Sequence, residues 1–178
     1  MKKKILLIVL VIAAVFIGYF GYRIARPLSP ASTASFNEGG LSISVAYSRP
    51  YKKGRVIFGP GDGALQPFGQ YWRLGANAAT EITFNVPVLF ADQPVAAGTY
   101  RMYAIPGESV WKVVLNSELG APGSDEPNHN LDVLSVDVPA MTAPVTEQFT
   151  ISLGSEGSGA AMEFSWDNVN IVIPIQPQ

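Results

Sequence analysis

The chain's 178 residues suffice for one domain and a terminal appendage but not for two ordinary domains. It has no cysteine, which excludes disulfides, thiol nucleophiles, cysteine zinc sites and a lipidated N-terminal Cys, while a 48% hydrophobic content is ample for a packed core. The net charge of −2 hides a split: Lys2, Lys3, Lys4, Arg23 and Arg26 flank one apolar run, and from Leu28 onward seven bases face fourteen acids, which argues against nucleic acid and anionic lipid as partners.

The first predicted element is a membrane helix. Ile5 to Tyr22 carries no charge, and at ~1.5 Å per residue it would span roughly 27 Å, close to the hydrocarbon thickness of a bilayer. Lysines precede it, Arg23 and Arg26 follow, and Tyr19, Phe20 and Tyr22 suit an outer interfacial belt. This predicts residues 1–4 in the cytoplasm, a transmembrane helix over 5–26, and the rest in the periplasm, held at a bacterial inner membrane. A cleaved signal would have a shorter apolar region and a nearby small-x-small site; Ser32-Thr33-Ala34 lies far beyond the run. Ala14, Gly18, Gly21 and Ala25 recur at intervals of four, three and four, which stacks them in one stripe. Small residues let helices approach closely in lipid, so the stripe is a candidate packing interface; chance placement of common membrane-helix residues is the competing reading.

Residues 27–40, rich in Pro, Ser, Thr and Gly, read as a linker, and 41–178 as the soluble domain. No sustained helical period follows. Strands are predicted at 41–47, 55–58, 71–74, 81–90, 99–105, 110–115, 131–138, 148–153, 161–166 and 169–175. Leu41-Ser42-Ile43-Ser44-Val45 and Phe149-Thr150-Ile151-Ser152-Leu153 alternate as half-buried strands do. The fold class is therefore all-β, an antiparallel sandwich or jelly-roll-like domain behind a single N-terminal helix. There is no internal repeat, GxGxxG, P-loop or zinc spacing. Residues 41–80 carry Arg49, Lys52, Lys53, Arg55 and Arg73 against Asp62 alone, an asymmetry that gives a basic patch if folding keeps it together.

Tyr47-Ser48-Arg49-Pro50, Lys53-Gly54-Arg55-Val56-Ile57-Phe58-Gly59, Trp72-Arg73-Leu74-Gly75-Ala76-Asn77, Ala97-Gly98-Thr99-Tyr100 and Ile105-Pro106-Gly107 stand in order along the chain. With Thr80, Ile82-Thr83-Phe84, Trp111, Asn116 and Phe164-Ser165-Trp166 they resemble the bacterial domain-of-unknown-function family numbered twenty-nine eleven, over roughly residues 41–175. The resemblance implies a small exported or envelope-associated β domain and supplies no catalytic residues. The chain departs from the family pattern in its Pro60-Gly61-Asp62-Gly63 insertion and in having a membrane helix where a signal peptide is usual.

Trp72, Arg73 and Asn77 are the candidate ligand site: the indole would stack on a sugar, and Arg73 and Asn77 would give directed hydrogen bonds. The structural alternative puts Trp72 in the core, turns the chain at Gly75, ties a loop with Asn77 and pairs Arg73 with a buried carboxylate such as Glu81. His129, the single histidine, sits in a long polar loop with Glu118, Asp125 and Glu126 and reads as solvated. Asp62 reads as a turn rather than a calcium ligand, since one acid does not make a cage. Ser155 and Ser158 belong to a Gly-rich hairpin tip, unlike a nucleophile elbow. No catalytic residue, metal or cofactor is predicted. The leading expectation is a non-catalytic subunit of a larger membrane complex, such as a respiratory or photosynthetic one, contacting other membrane subunits through its helix and outward loops. A tethered periplasmic module for carbohydrate or a small ligand is the alternative, and an enzyme comes third.

Overall fold

The computed structural model describes residues 2–25 and 28–178, with side chains in the N-terminal helix described at 4 and 8–22. Helix α1 (Lys2–Ala25) is followed by twelve strands. They are β1 (Ala31–Glu38), β2 (Leu41–Ser48), β3 (Phe58–Gly59), β4 (Gln66–Pro67), β5 (Thr80–Phe84), β6 (Val88–Phe90) and β7 (Gln93–Val95), then β8 (Gly98–Ile105), β9 (Val110–Asn116), β10 (Asp132–Pro139), β11 (Met141–Glu156) and β12 (Gly159–Pro177). Short 3-10 turns occupy Gly61–Gly63 and His129–Leu131.

Every described side chain of α1 is exposed, from Lys4 through the apolar stretch Ile8–Tyr22. Among the described residues no helix is long and apolar enough to cross a membrane. Ala14, Gly18 and Gly21 lie on this exposed surface, whereas the Ala25 side chain and residues 26 and 27 fall outside the described residues.

Six strands form one antiparallel sheet in the order β1-β2-β5-β8-β9-β10, and four form a second, β11-β12-β6-β7. Alternation explains both. Leu41, Ile43, Val45 and Tyr47 of β2, Ile82 and Phe84 of β5, and Trp111, Val113 and Leu115 of β9 face one shared core. Phe149 and Ile151 of β11, and Met162, Phe164, Trp166, Ile171, Ile173 and Ile175 of β12, meet them from the other sheet.

Four expectations change. Residues 31–38, expected as linker, form an edge strand paired with β2 along its length. Its small polar side chains conceal it, since Phe36 alone is buried. Gly39 and Gly40, at φ +59 and +84, supply the two positive angles that a two-residue hairpin turn requires. Residues 55–58 and 71–74 are mostly loop: Phe58–Gly59 pairs in parallel with Gln66–Pro67, and Trp72 makes a single bridge to Ala104. The stretch 81–90 breaks into β5 and β6 around Pro87, which has no N–H for a ladder. The last two predicted strands are one. Even-numbered residues are buried up to Trp166 and odd-numbered ones from Ile171, and the switch falls at Asp167, whose φ is +53.

Candidate functional site

The Trp72–Asn77 corner joins the loop after β4 to β5. Trp72 is 2% exposed and stacks on Trp166 at 5.7 Å between ring centroids, with Phe149 at 5.0 Å, Phe58 at 5.4 Å and Trp111 at 5.6 Å. Its Nε1 donates to the Gly75 carbonyl at 3.3 Å. This indole belongs to the core and has no face left for a sugar. The chain turns through Leu74, Gly75 and Asn77 at φ +53, +149 and +61. A Cβ on Gly75 would stand 2.6 Å from the Ser48 carbonyl oxygen, so the position requires glycine. Asn77 donates to the Ser29 carbonyl at 3.1 Å, tying the start of the domain to the corner. Arg73 is half-buried and donates to the Asn77 carbonyl at 3.2 Å. The expected ion pair with Glu81 does not form: Glu81 accepts from the Gly120 amide at 3.2 Å, on another face.

Arg73 and Asn77 do share an open cleft of about 490 Å³, whose lining includes Lys53 and Arg55. Leu28, Ser29, Tyr51 and Leu65 also line it, and Trp166 borders it with a buried Nε1 that has no hydrogen-bond partner among the described residues. Arg55 is held in place by donating to the carbonyls of Lys52, at 2.9 Å, and Tyr51. Neighbouring cations are already committed. Lys52 pairs with Asp167 at 2.5 Å, and Arg49 donates to the Phe149 carbonyl at 3.2 Å and to Thr150 Oγ1 at 2.8 Å. Among the described residues the side-chain cations of Lys53, Arg55 and Arg73 form no ion pair, while the Lys53 backbone amide donates to Glu147 at 2.8 Å. The sequence asymmetry of residues 41–80 thus survives folding as a local basic cleft.

A second polar cluster lies behind the large sheet. In β8, Tyr100, Met102 and Ala104 face the core, so Arg101 and Tyr103 point outward under the loop of residues 117–131. Arg101, 1% exposed, donates to Tyr71 Oη at 2.7 Å and to the Asp125 carbonyl, and stands 3.4 Å from Glu118. Tyr103 Oη lies 2.9 Å from His129 Nδ1 and 2.9 Å from Asp132 Oδ2. Burial, and then the hydrogen bond and charge of Asp132, push the Tyr103 hydroxyl well above the ordinary tyrosine value. Asn116 donates to Asp132 at 2.7 Å and to the Asn128 carbonyl at 2.9 Å. His129 is therefore tied down by Tyr103, Glu126 and Asp132, although half of its side chain remains exposed. Among the described residues no group of three or more His, Cys, Asp or Glu could hold a metal ion. Arg101 and Tyr103 were missed by motif reading; their signal is a charge within a strand whose alternate residues are all apolar.

The remaining candidates are conformational. Asp62 sits exposed in the 3-10 turn Gly61–Gly63, and Ser155 and Ser158 lie at the β11–β12 hairpin, with Ser155 Oγ donating to Glu38 at 2.7 Å.

Comparison with curated proteins and with solved structures gives no match. A family model does match, from residue 29 to 175, thus including β1, which the sequence motifs alone had left out. With that span and the two-sheet architecture on which its motifs fall, the chain belongs to the family described as Protein of unknown function (DUF2911).

Proposed function

We propose that the protein is a non-catalytic, membrane-tethered accessory subunit whose β-sandwich stands on the outer side of a bacterial inner membrane. The observation that carries this reading is α1, whose side chains from Ile8 to Tyr22 are apolar or aromatic apart from small residues, and exposed throughout. The domain's own core leaves that surface uncovered, so lipid or another protein must cover it. The described run is shorter than a span; the preceding Ile5-Leu6-Leu7 of the sequence brings it to the thickness of a bilayer core. Cleavage after Ala34 would cut β1 in its middle, where Ala34 pairs with Val45, which favours retention of the helix. A tethered module for a small ligand is the second reading, favoured by the cleft beside Arg73 and Asn77 but weakened as a sugar site by the burial of Trp72. An enzyme is third, since that cleft is not lined by Tyr103, His129 or Asp132.

The test is co-purification in mild detergent. A Cβ added at Gly18 or Gly21 meets nothing within 4 Å in this chain, so Gly18→Leu is silent within its own fold. Wild type and the control Val9→Leu are expected to reach the membrane and bring partner subunits with them, while Gly18→Leu reaches the membrane alone. Recovery of the wild type from the soluble fraction, or purification without any partner, overturns the reading.

A further inference from the structure

We propose that the basic cleft formed by Lys53, Arg55 and Arg73 docks onto the headgroups of anionic phospholipids in the membrane that holds α1. The proposal rests on the tethered reading above and adds to it an orientation and a ligand class.

Position is the first argument. Leu28 and Ser29 line the cleft, and α1 ends at Ala25. A chain extends at most ~3.6 Å per residue, so Leu28 lies within roughly 11 Å of the helix end, against a Debye length of about 8 Å in physiological salt. A domain leaving the bilayer at that point has the cleft beside the headgroups, where electrostatic attraction is not yet screened away.

Charge is the second. Lys53 and Arg55 are exposed and Arg73 half-exposed, and among the described residues none of their side-chain cations is in an ion pair, although the Lys53 backbone amide donates to the Glu147 carboxylate at 2.8 Å. Backbone carbonyls hold both guanidiniums in place without neutralising them. Residues 81–178 carry two bases against twelve acids, so an anionic surface repels the rest of the domain and attracts this cleft. The overall negative balance, which suggested that the domain would avoid such lipid, averages over two regions of opposite sign.

The rim is the third. Leu28 is 54% exposed, Leu65 39%, Tyr51 36%, and the adjacent Val56 58%. Apolar and aromatic side chains around a cationic centre match the boundary between headgroups and acyl chains, whereas a dissolved phosphate ion has no use for them.

The experiment uses the full chain in nanodiscs, made either of phosphatidylcholine alone or with added phosphatidylglycerol. Lys53 is acetylated with a water-soluble reagent and its rate is read by mass spectrometry against Lys112, which is paired with Asp137 on the far strands of the large sheet. Phosphatidylglycerol should slow Lys53 roughly tenfold relative to Lys112, and high salt should restore the rate. The double variant Arg55→Glu, Arg73→Glu should lose the protection; Arg55→Gln, Arg73→Gln serves instead if the melting temperature of the first falls. Equal Lys53 rates in both lipids overturn the docking while leaving the tether intact. So does inorganic phosphate that protects Lys53 equally well in phosphatidylcholine discs, because the ligand is then the free anion. A chain that enters neither disc overturns the tether, and the docking with it.

Discussion

Arg101 and Arg73 stand at opposite extremes of what an arginine does in this domain. Arg101 is almost fully buried, and its guanidinium meets Tyr71 Oη, the Asp125 carbonyl and Glu118. Arg73 holds one carbonyl, that of Asn77, beside two other cations and no carboxylate. Burial explains the difference. A charge taken out of water must recover its solvation from partners, and those partners fix the segments that carry them, here Tyr71 and the 117–128 part of the loop over β8. A charge left at the surface has no such obligation and stays available to something outside the chain. The sheet-backing cluster is thus a lock, and the cleft is a contact surface.

The strongest attempt to break this contrast is Arg101→Ala. It removes a donor from Tyr71 and from the Asp125 carbonyl and takes from Glu118 its charged partner, leaving that carboxylate the Asn128 amide alone. The expected loss is roughly 2–4 kcal/mol in denaturant unfolding, with the 117–128 segment becoming open to proteolysis. A stable variant with an unchanged proteolytic pattern would mean that the loop is held by other means, and the lock would have to be sought in the Asn116–Asp132 bonds instead.

Tyr103 offers a second, smaller test, read through pH. Its hydroxyl is held above the ordinary value of 10.0, chiefly by burial and then by Asp132. The unfolded chain therefore loses this proton at lower pH than the folded one, so stability is fully present below the unfolded value and declines as pH rises through 10.0 and beyond. Tyr103→Phe should be mildly destabilised at neutral pH by the loss of the bonds to His129 and Asp132, and its alkaline decline should be shallower than that of the wild type. Parallel declines in the two proteins would place the alkaline sensitivity elsewhere.

The same contrast explains which parts were legible in the sequence. β2, β8 and β9 were found because their apolar residues alternate, or run continuously, against a core on one side. β1 was not, because Ser32, Thr33 and Ser35 carry no hydrophobic signal and only its pairing with β2 makes it a strand. β12 was split in two because alternation reverses at Asp167, and a pattern of period two cannot register a bulge. At the corner, Trp72, Gly75 and Asn77 have the packing, turning and tying geometry of the structural alternative, while the partner of Arg73 was misassigned. Glu81 sits opposite Arg101 across the β5–β8 ladder, a proximity set by strand register that no local motif encodes. Likewise the three cations of the cleft come from two segments, and it is folding that gathers them beside Leu28.

The smallest expected effect is also the most discriminating one. If Arg73 were the buried, paired residue that its motif suggested, Arg73→Ala would cost as much as Arg101→Ala. The geometry argues otherwise. One hydrogen bond at 3.2 Å to an exposed carbonyl is lost, water replaces it on the Asn77 oxygen, and no carboxylate is stranded. Asn77 keeps its own bond to the Ser29 carbonyl, Gly75 keeps its turn, and Trp72 keeps its neighbours. Removing one of three like charges that share a cleft also relieves repulsion, which offsets part of the loss. Arg73→Ala should therefore lower stability by less than about 1 kcal/mol in denaturant unfolding. A loss near that of Arg101→Ala would make the corner's arginine structural, and the cleft would then be a by-product of folding rather than a surface kept free for a partner.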